Sequence, residues 1–156
     1  MQADSTIRAE ALAFAKDHTA GVLATVSNDG APHASIIYFV SDDSFNVYFL
    51  TKIGSRKYDS LKSNPQAAFT LGRQDIPQTL QIEGLVTELT SDSDRDAHIP
   101  DLMNILANVS FGMVPAAKMD GDLTVMHLKP TWIRWGDFSK TAIGNENLFF
   151  DIPVTD

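Results

Sequence analysis

The sequence predicts a mainly β domain: six or seven short antiparallel strands in a barrel-like arrangement, with short helices at its periphery. Three observations carry this expectation. Short segments of alternating apolar residues recur along the chain, tight-turn signals join the first three of them, and no regular alternation of strands with long helices is present. With 156 residues the chain fits a single domain, 1–156, whose last part, about 137–156, has no clear period.

A helix is expected first, over residues 6–17, where alanines favour helix and Ile7, Ala11, Phe14 and Ala15 share a face. Residues 21–27 alternate as a strand. Asn28-Asp29-Gly30 then makes a tight turn, because these residues tolerate left-handed backbone, and 33–40 return as a second strand. Ser41-Asp42-Asp43-Ser44 turns the chain into a third strand at 45–50, completing an antiparallel meander. Ser55 is placed to cap a helix that runs to residue 63 and is stopped by Asn64-Pro65. Strands follow at 67–71 and 79–89, the second bending near Gly84. A helix at 101–108 presents Leu102, Ile105 and Leu106. Beyond the irregular connection Phe111-Gly112-Met113-Val114-Pro115 and the turn Asp120-Gly121-Asp122, strands are expected at 123–128 and 132–135, separated by Pro130.

Composition removes several classes of function. The chain carries 12 Lys and Arg against 20 Asp and Glu, a net charge of −8, which argues against nucleic acid or an anionic membrane surface as partner. No cysteine is present, so disulfides, thiolate catalysis and Cys-containing metal sites are excluded. No apolar run is long enough for a transmembrane helix, and Met1-Gln2-Ala3-Asp4 does not open a secretory signal; a cytoplasmic location is expected. Asp92, Asp94 and Asp96 lack the glycine and terminal glutamate of a calcium loop and suit a helix start. His33, His98 and His127 are scattered without metal-ligand spacing, and no metal site is expected. Ser27, Asp29 and His33 have no nucleophile elbow around them.

The placement of charge is more informative than its total. Lys52, Arg56, Lys57 and Lys62 stand within eleven residues with one carboxylate, Asp59, giving this window +3 in an acidic chain. Thr51 closes a strand, and Ser55, Arg56 and Lys57 open a helix. Such a junction offers free backbone N–H groups, hydroxyls and cations to a single phosphate. An ordinary solvated basic helix is the other reading. The glycine spacing of a nucleotide P-loop is absent.

Thr51-Lys52-Ile53-Gly54-Ser55-Arg56-Lys57, followed by Leu61 and Asn64-Pro65, resembles the signature of the pyridoxamine 5'-phosphate oxidase superfamily. The preceding strand, Gln81-Ile82-Glu83-Gly84 and the hairpin of residues 21–38 are similar to the same pattern, so the resemblance spans roughly residues 10–135. It implies an FMN-binding split barrel that forms a homodimer with FMN at the subunit interface. Arg56 and Lys57 match the phosphate-binding pair, with Thr51 and Ser55 assisting. Ser35 and Ile36 fall on the strand beside the isoalloxazine ring, and Leu50 and Gln81 are further candidate contacts. Trp132 and Trp135 have two readings, aromatic contact with the flavin or packing in a core or interface. Arg134 between them could address a phosphate from the partner subunit or serve as a surface charge.

The departures from the pattern bear on activity. Ser35 stands where the oxidases usually have a cofactor-binding arginine, Val40 near a substrate-associated lysine, and no Arg-x-His motif follows Trp135. The expectation is therefore an FMN-dependent oxidoreductase of another substrate, moving electrons from a reduced nicotinamide to an unidentified small acceptor. No residue stands out as a catalytic proton donor. The alternatives are a non-enzymatic flavin-binding or stress-associated module and a heme- or deazaflavin-binding relative.

Overall fold

The computed structural model describes residues 3–73, 75–108, 122–140 and 147–155. The elements in chain order are α1 (Ser5–Lys16), β1 (Ala20–Val26), β2 (Pro32–Ser41), β3 (Val47–Lys52), α2 (Arg56–Ser63), β4 (Gln66–Gly72), β5 (Gln78–Glu88), α3 (Asp92–Asn108), β6 (Leu123–Asp137) and β7 (Phe149–Asp151). A short 3-10 turn, Phe138–Lys140, follows β6. The strands lie in the order β3-β2-β1-β4-β5-β6-β7, and β3 also pairs with β6. That second pairing closes six antiparallel strands into a barrel and leaves β7 as an extra strand on β6, which is a split barrel. Closure removes the free edges that an open sheet would expose. No helix among the described residues is long and apolar enough to cross a membrane.

Strand periodicity decides what fills the barrel. On β1 and β2, Leu23, Ile37 and Phe39 point inward and are buried, whereas Val22 and Ile36, register partners, face outward and are exposed. Phe49, Phe69, Leu80, Ile82, Met126, Leu128, Ile133 and Trp135 complete the interior. Phe39 and Phe69 meet edge to face at 4.8 Å. Asp4 caps α1 by accepting a 2.9 Å hydrogen bond from the Ile7 N–H, and the helix contributes Ala11, Phe14 and Ala15 to the same core.

Four local features differ from the sequence expectation. The third strand begins at Val47 because Phe45 takes φ +61°, a left-handed conformation held by the turn in which Asp42 accepts from the Ser44 and Asn46 N–H groups. The helix α3 starts at Asp92 rather than near residue 101, so the acidic stretch forms its first turns and Pro100 lies inside it. β6 is one continuous strand where two were expected. Pro130 is accommodated because the β5–β6 register shifts between Glu83 and Gly84, leaving Thr131 as an extra residue. This is the bend expected near Gly84: a Cβ there would sit 2.2 Å from the Lys129 carbonyl oxygen, so only glycine permits the approach. The tail is not wholly irregular, since β7 pairs with β6 and Ile152 is buried. The connection at 111–115 and residues 120–121 of the expected turn lie outside the described residues.

Candidate functional site

β3 leaves the barrel wall through Lys52-Ile53-Gly54, where Gly54 takes φ +77°, and the chain enters α2 at Ser55. Ser55 has extended backbone, and its hydroxyl accepts from the Tyr58 N–H at 3.3 Å, so it is the N-cap. The Thr51 and Ser55 hydroxyls lie 3.2 Å apart, tying strand end to helix start. The first N–H groups of the helix have no intrahelical acceptor and point out of its N-terminus.

A cleft of about 470 Å³ opens at this junction. Leu50 and Thr51 line it from β3, His33 and Ser35 from β2, and Ser55, Arg56 and Lys57 from the start of α2. Thr25 of β1 and Thr51 place buried hydroxyl-bearing residues in its wall. Neither Arg56 nor Lys57 forms an ion pair among the described residues. Lys57 is half-buried, its ammonium 6.0 Å from the centre of the Phe49 ring, and burial pushes its pKa down. An unpaired cation drawn partly out of water is stabilised by an anion placed beside it.

The far side of α2 is anchored by Glu88 at the end of β5. Its carboxylate accepts hydrogen bonds from the Tyr58 hydroxyl (3.0 Å), the Lys62 ammonium (3.2 Å) and the Thr124 hydroxyl of β6 (2.8 Å). Burial alone would raise the Glu88 carboxyl; the three donors outweigh it, and the net shift is downward. These bonds set the position of the helix that presents Arg56 and Lys57.

Of the ten candidate residues, Ser35, Leu50, Thr51, Ser55, Arg56 and Lys57 meet in this one cleft. Ile36, Gln81, Trp132 and Trp135 do not line it. Ile36 is 71% exposed on the outer face of β2. Gln81 faces outward on β5, in register with Thr70 and Arg134. Trp132 also faces outward, with the Arg134 guanidinium 4.7 Å above its ring and Arg134 bonded to Asp151 at 3.0 Å. Trp135 is a core residue, 1% exposed and packed edge to face on Phe14 at 4.9 Å, so of its two readings the structure shows packing.

The histidines separate. His98 of α3 and His127 of β6 both stack on Tyr48, at 3.7 and 4.8 Å between ring centres, which fastens α3 to the outside of the barrel. Burial, followed by the charge of Asp42, pushes the Tyr48 hydroxyl up to about 12. Among the described residues no three His, Asp or Glu side chains are grouped to hold a metal ion. His33, like Thr25 and Ala34, lines the cleft without having been assigned to the site from sequence. Its signal was parity: it shares a strand face with Ser35, Ile37 and Phe39.

A six-stranded closed antiparallel barrel with one extra strand, carrying a cationic cleft at a strand-to-helix junction, places the molecule in the split-barrel class. The sequence model of the pyridoxamine 5'-phosphate oxidase family matches residues 7–135, and the chain belongs to that family. The pyridoxine/pyridoxamine 5'-phosphate oxidase of Anaeromyxobacter dehalogenans is 36% identical over 95 residues, covering 61% of this chain and 47% of that protein. The chain thus spans less than half the length of that curated relative. Among solved structures, General Stress Protein 26 from Bacillus anthracis superposes with a TM-score of 0.60 at 27% identity, over 81% of this chain and 91% of the other. A pyridoxamine 5'-phosphate oxidase-related, FMN binding protein from Nostoc punctiforme shares the fold, with a TM-score of 0.61 at 17% identity over 88% and 85% of the two chains.

Proposed function

We propose that this chain binds FMN in the β3–α2 cleft and acts as an oxidoreductase that passes electrons from a reduced nicotinamide to a small acceptor. The observation that carries the reading is Lys57, half-buried and unpaired beside Arg56 at a capped helix start. These residues fit the phosphate of a flavin mononucleotide: two cations, the Ser55 and Thr51 hydroxyls, and the open N–H groups of α2. Ser35, which lines the cleft from β2, is assigned to the flavin ring in this reading. When bound, the isoalloxazine supplies the redox chemistry, and the chain's contribution is binding, orientation and control of access.

The working unit in this reading is a homodimer. Val22, Ile36 and Leu85 expose apolar surface on the outside of the sheet, at 38%, 71% and 45% of their full areas, beside a groove of about 460 Å³ running along β1, β4 and β5. A second copy seated there covers this surface and brings its own outward-facing side chains, among them Ile36, Gln81 and Trp132, toward a shared interface. Val40 near the place of a substrate-associated lysine, and the lack of an Arg-x-His motif after Trp135, argue against pyridoxamine 5'-phosphate as the substrate.

The test is spectroscopic. Gently purified protein is expected to show a flavin absorption spectrum with one FMN per chain, and anaerobic NADH or NADPH is expected to bleach it. A bound flavin that neither nucleotide reduces favours the non-enzymatic module. A heme or deazaflavin spectrum overturns the FMN assignment.

A further inference from the structure

His33 has no part in the reading above, yet its side chain lines the same cleft as Ser55, Arg56 and Lys57. Its Nε2 is buried and has no hydrogen-bond partner among the described residues. Buried polar atoms are nearly always paired in native proteins, so this nitrogen points to a partner that arrives with a ligand. The fold also says which end of the ligand it meets. His33 pairs with Thr25 just after the β1–β2 turn, and that turn faces α2 across a groove with Ser27, Asn28 and Asp29 on one side and Arg56, Asp59 and Ser60 on the other. His33 is therefore on the helix side of the cleft, and Ser35 lies two residues further along the strand.

We propose that His33 is a further binding residue of this site, donating a hydrogen bond from Nε2 to a phosphate oxygen of FMN beside Arg56 and Lys57. The proposal rests on the FMN reading. It gives the dianion a third side-chain nitrogen donor, supplied by β2 where Arg56 and Lys57 come from α2, so the phosphate is held from both walls of the cleft. The phosphate is ionised, so the bond is charge-assisted.

The experiment titrates FMN and riboflavin into the full chain freed of bound flavin, following flavin fluorescence. His33→Phe keeps a planar ring and removes both nitrogens; it is expected to weaken FMN by roughly ten- to hundredfold, the range of a charge-assisted hydrogen bond. Riboflavin, lacking the phosphate, is expected to bind as it does to the parent protein. His33→Gln, which restores an N–H donor, is expected to recover much of the FMN affinity. Unchanged FMN binding by His33→Phe overturns the proposal. So does an equal loss for FMN and riboflavin, which is the mark of a merely structural role. If His33→Phe does not fold, His33→Ala is read by the same FMN-to-riboflavin ratio. The double variant Arg56→Ala/Lys57→Ala separates the two levels. If it binds FMN normally, the phosphate reading itself fails; if it loses FMN while His33→Phe does not, only the role of His33 fails.

Discussion

The hydroxyls of Thr51 and Ser55 lie 3.2 Å apart, one on the last inward-facing residue of β3 and the other on the N-cap of α2. Through this contact the barrel wall and the helix that carries Arg56 and Lys57 share one hydrogen bond across the Gly54 turn. The position of the cationic pair is thereby coupled to the core, because the neighbouring Phe49 is fully buried.

Replacing Ser55 by alanine removes both the cap and the tie to Thr51. The ligand-free protein is expected to lose about 1 kcal/mol of stability in urea titration, the usual cost of a lost N-cap side chain. FMN affinity is expected to fall as well, because the helix start frays where the phosphate is held. A variant with parental affinity would show that the cap does not serve the site.

Arg56→Ala/Lys57→Ala removes two charge-assisted donors, each contributing about 1.5–3 kcal/mol, so FMN affinity is expected to drop by at least about a hundredfold. Circular dichroism and melting of the ligand-free protein are expected to stay near the parent, since neither residue is paired within the fold.

The Glu88 anchor predicts a pH-dependent contribution to stability. Its carboxyl is shifted below the reference value of 4.5 in the folded chain, so folding favours the ionised form. The stabilisation is complete well above 4.5 and is lost as pH falls below that value and through the folded pKa. Urea titrations of the parent and Glu88→Gln are therefore expected to differ at pH 7 and to converge in the acid range. A difference that does not change with pH would contradict the assignment.

Ile36, exposed on the outer face of β2, tests the assembly. Ile36→Glu is expected to shift the protein from dimer to monomer in sedimentation velocity and to weaken FMN binding in parallel. A dimer that survives unchanged places the subunit interface elsewhere.

Much of this molecule was legible from residue order. The meander through Asn28-Asp29-Gly30, the helix opened by Ser55 and stopped by Asn64-Pro65, and the bend at Gly84 each follow from local rules: left-handed tolerance, capping and missing donors. Where reading failed, local and tertiary demands competed. Pro130 reads as a strand break, but a register shift against β5, with Thr131 as the extra residue, lets β6 continue past it. The helix expected at 101–108 instead begins at Asp92, in the acidic run that suits a helix start, and His98 in its added turns stacks on Tyr48.

The site divides along the same line. A contiguous run from Thr51 to Lys57 determined the cationic junction, because hydrogen-bond caps and charges within one turn depend only on neighbours in sequence. Tertiary closure decided the rest. Pairing β3 with both β2 and β6 set which residues flank the junction: it brought His33 and Ser35 to the cleft, turned Trp135 into the core and left Ile36, Gln81 and Trp132 outside. Strand alternation assigns a side chain to one of two faces, but only barrel closure determines which face is interior and which elements meet across it.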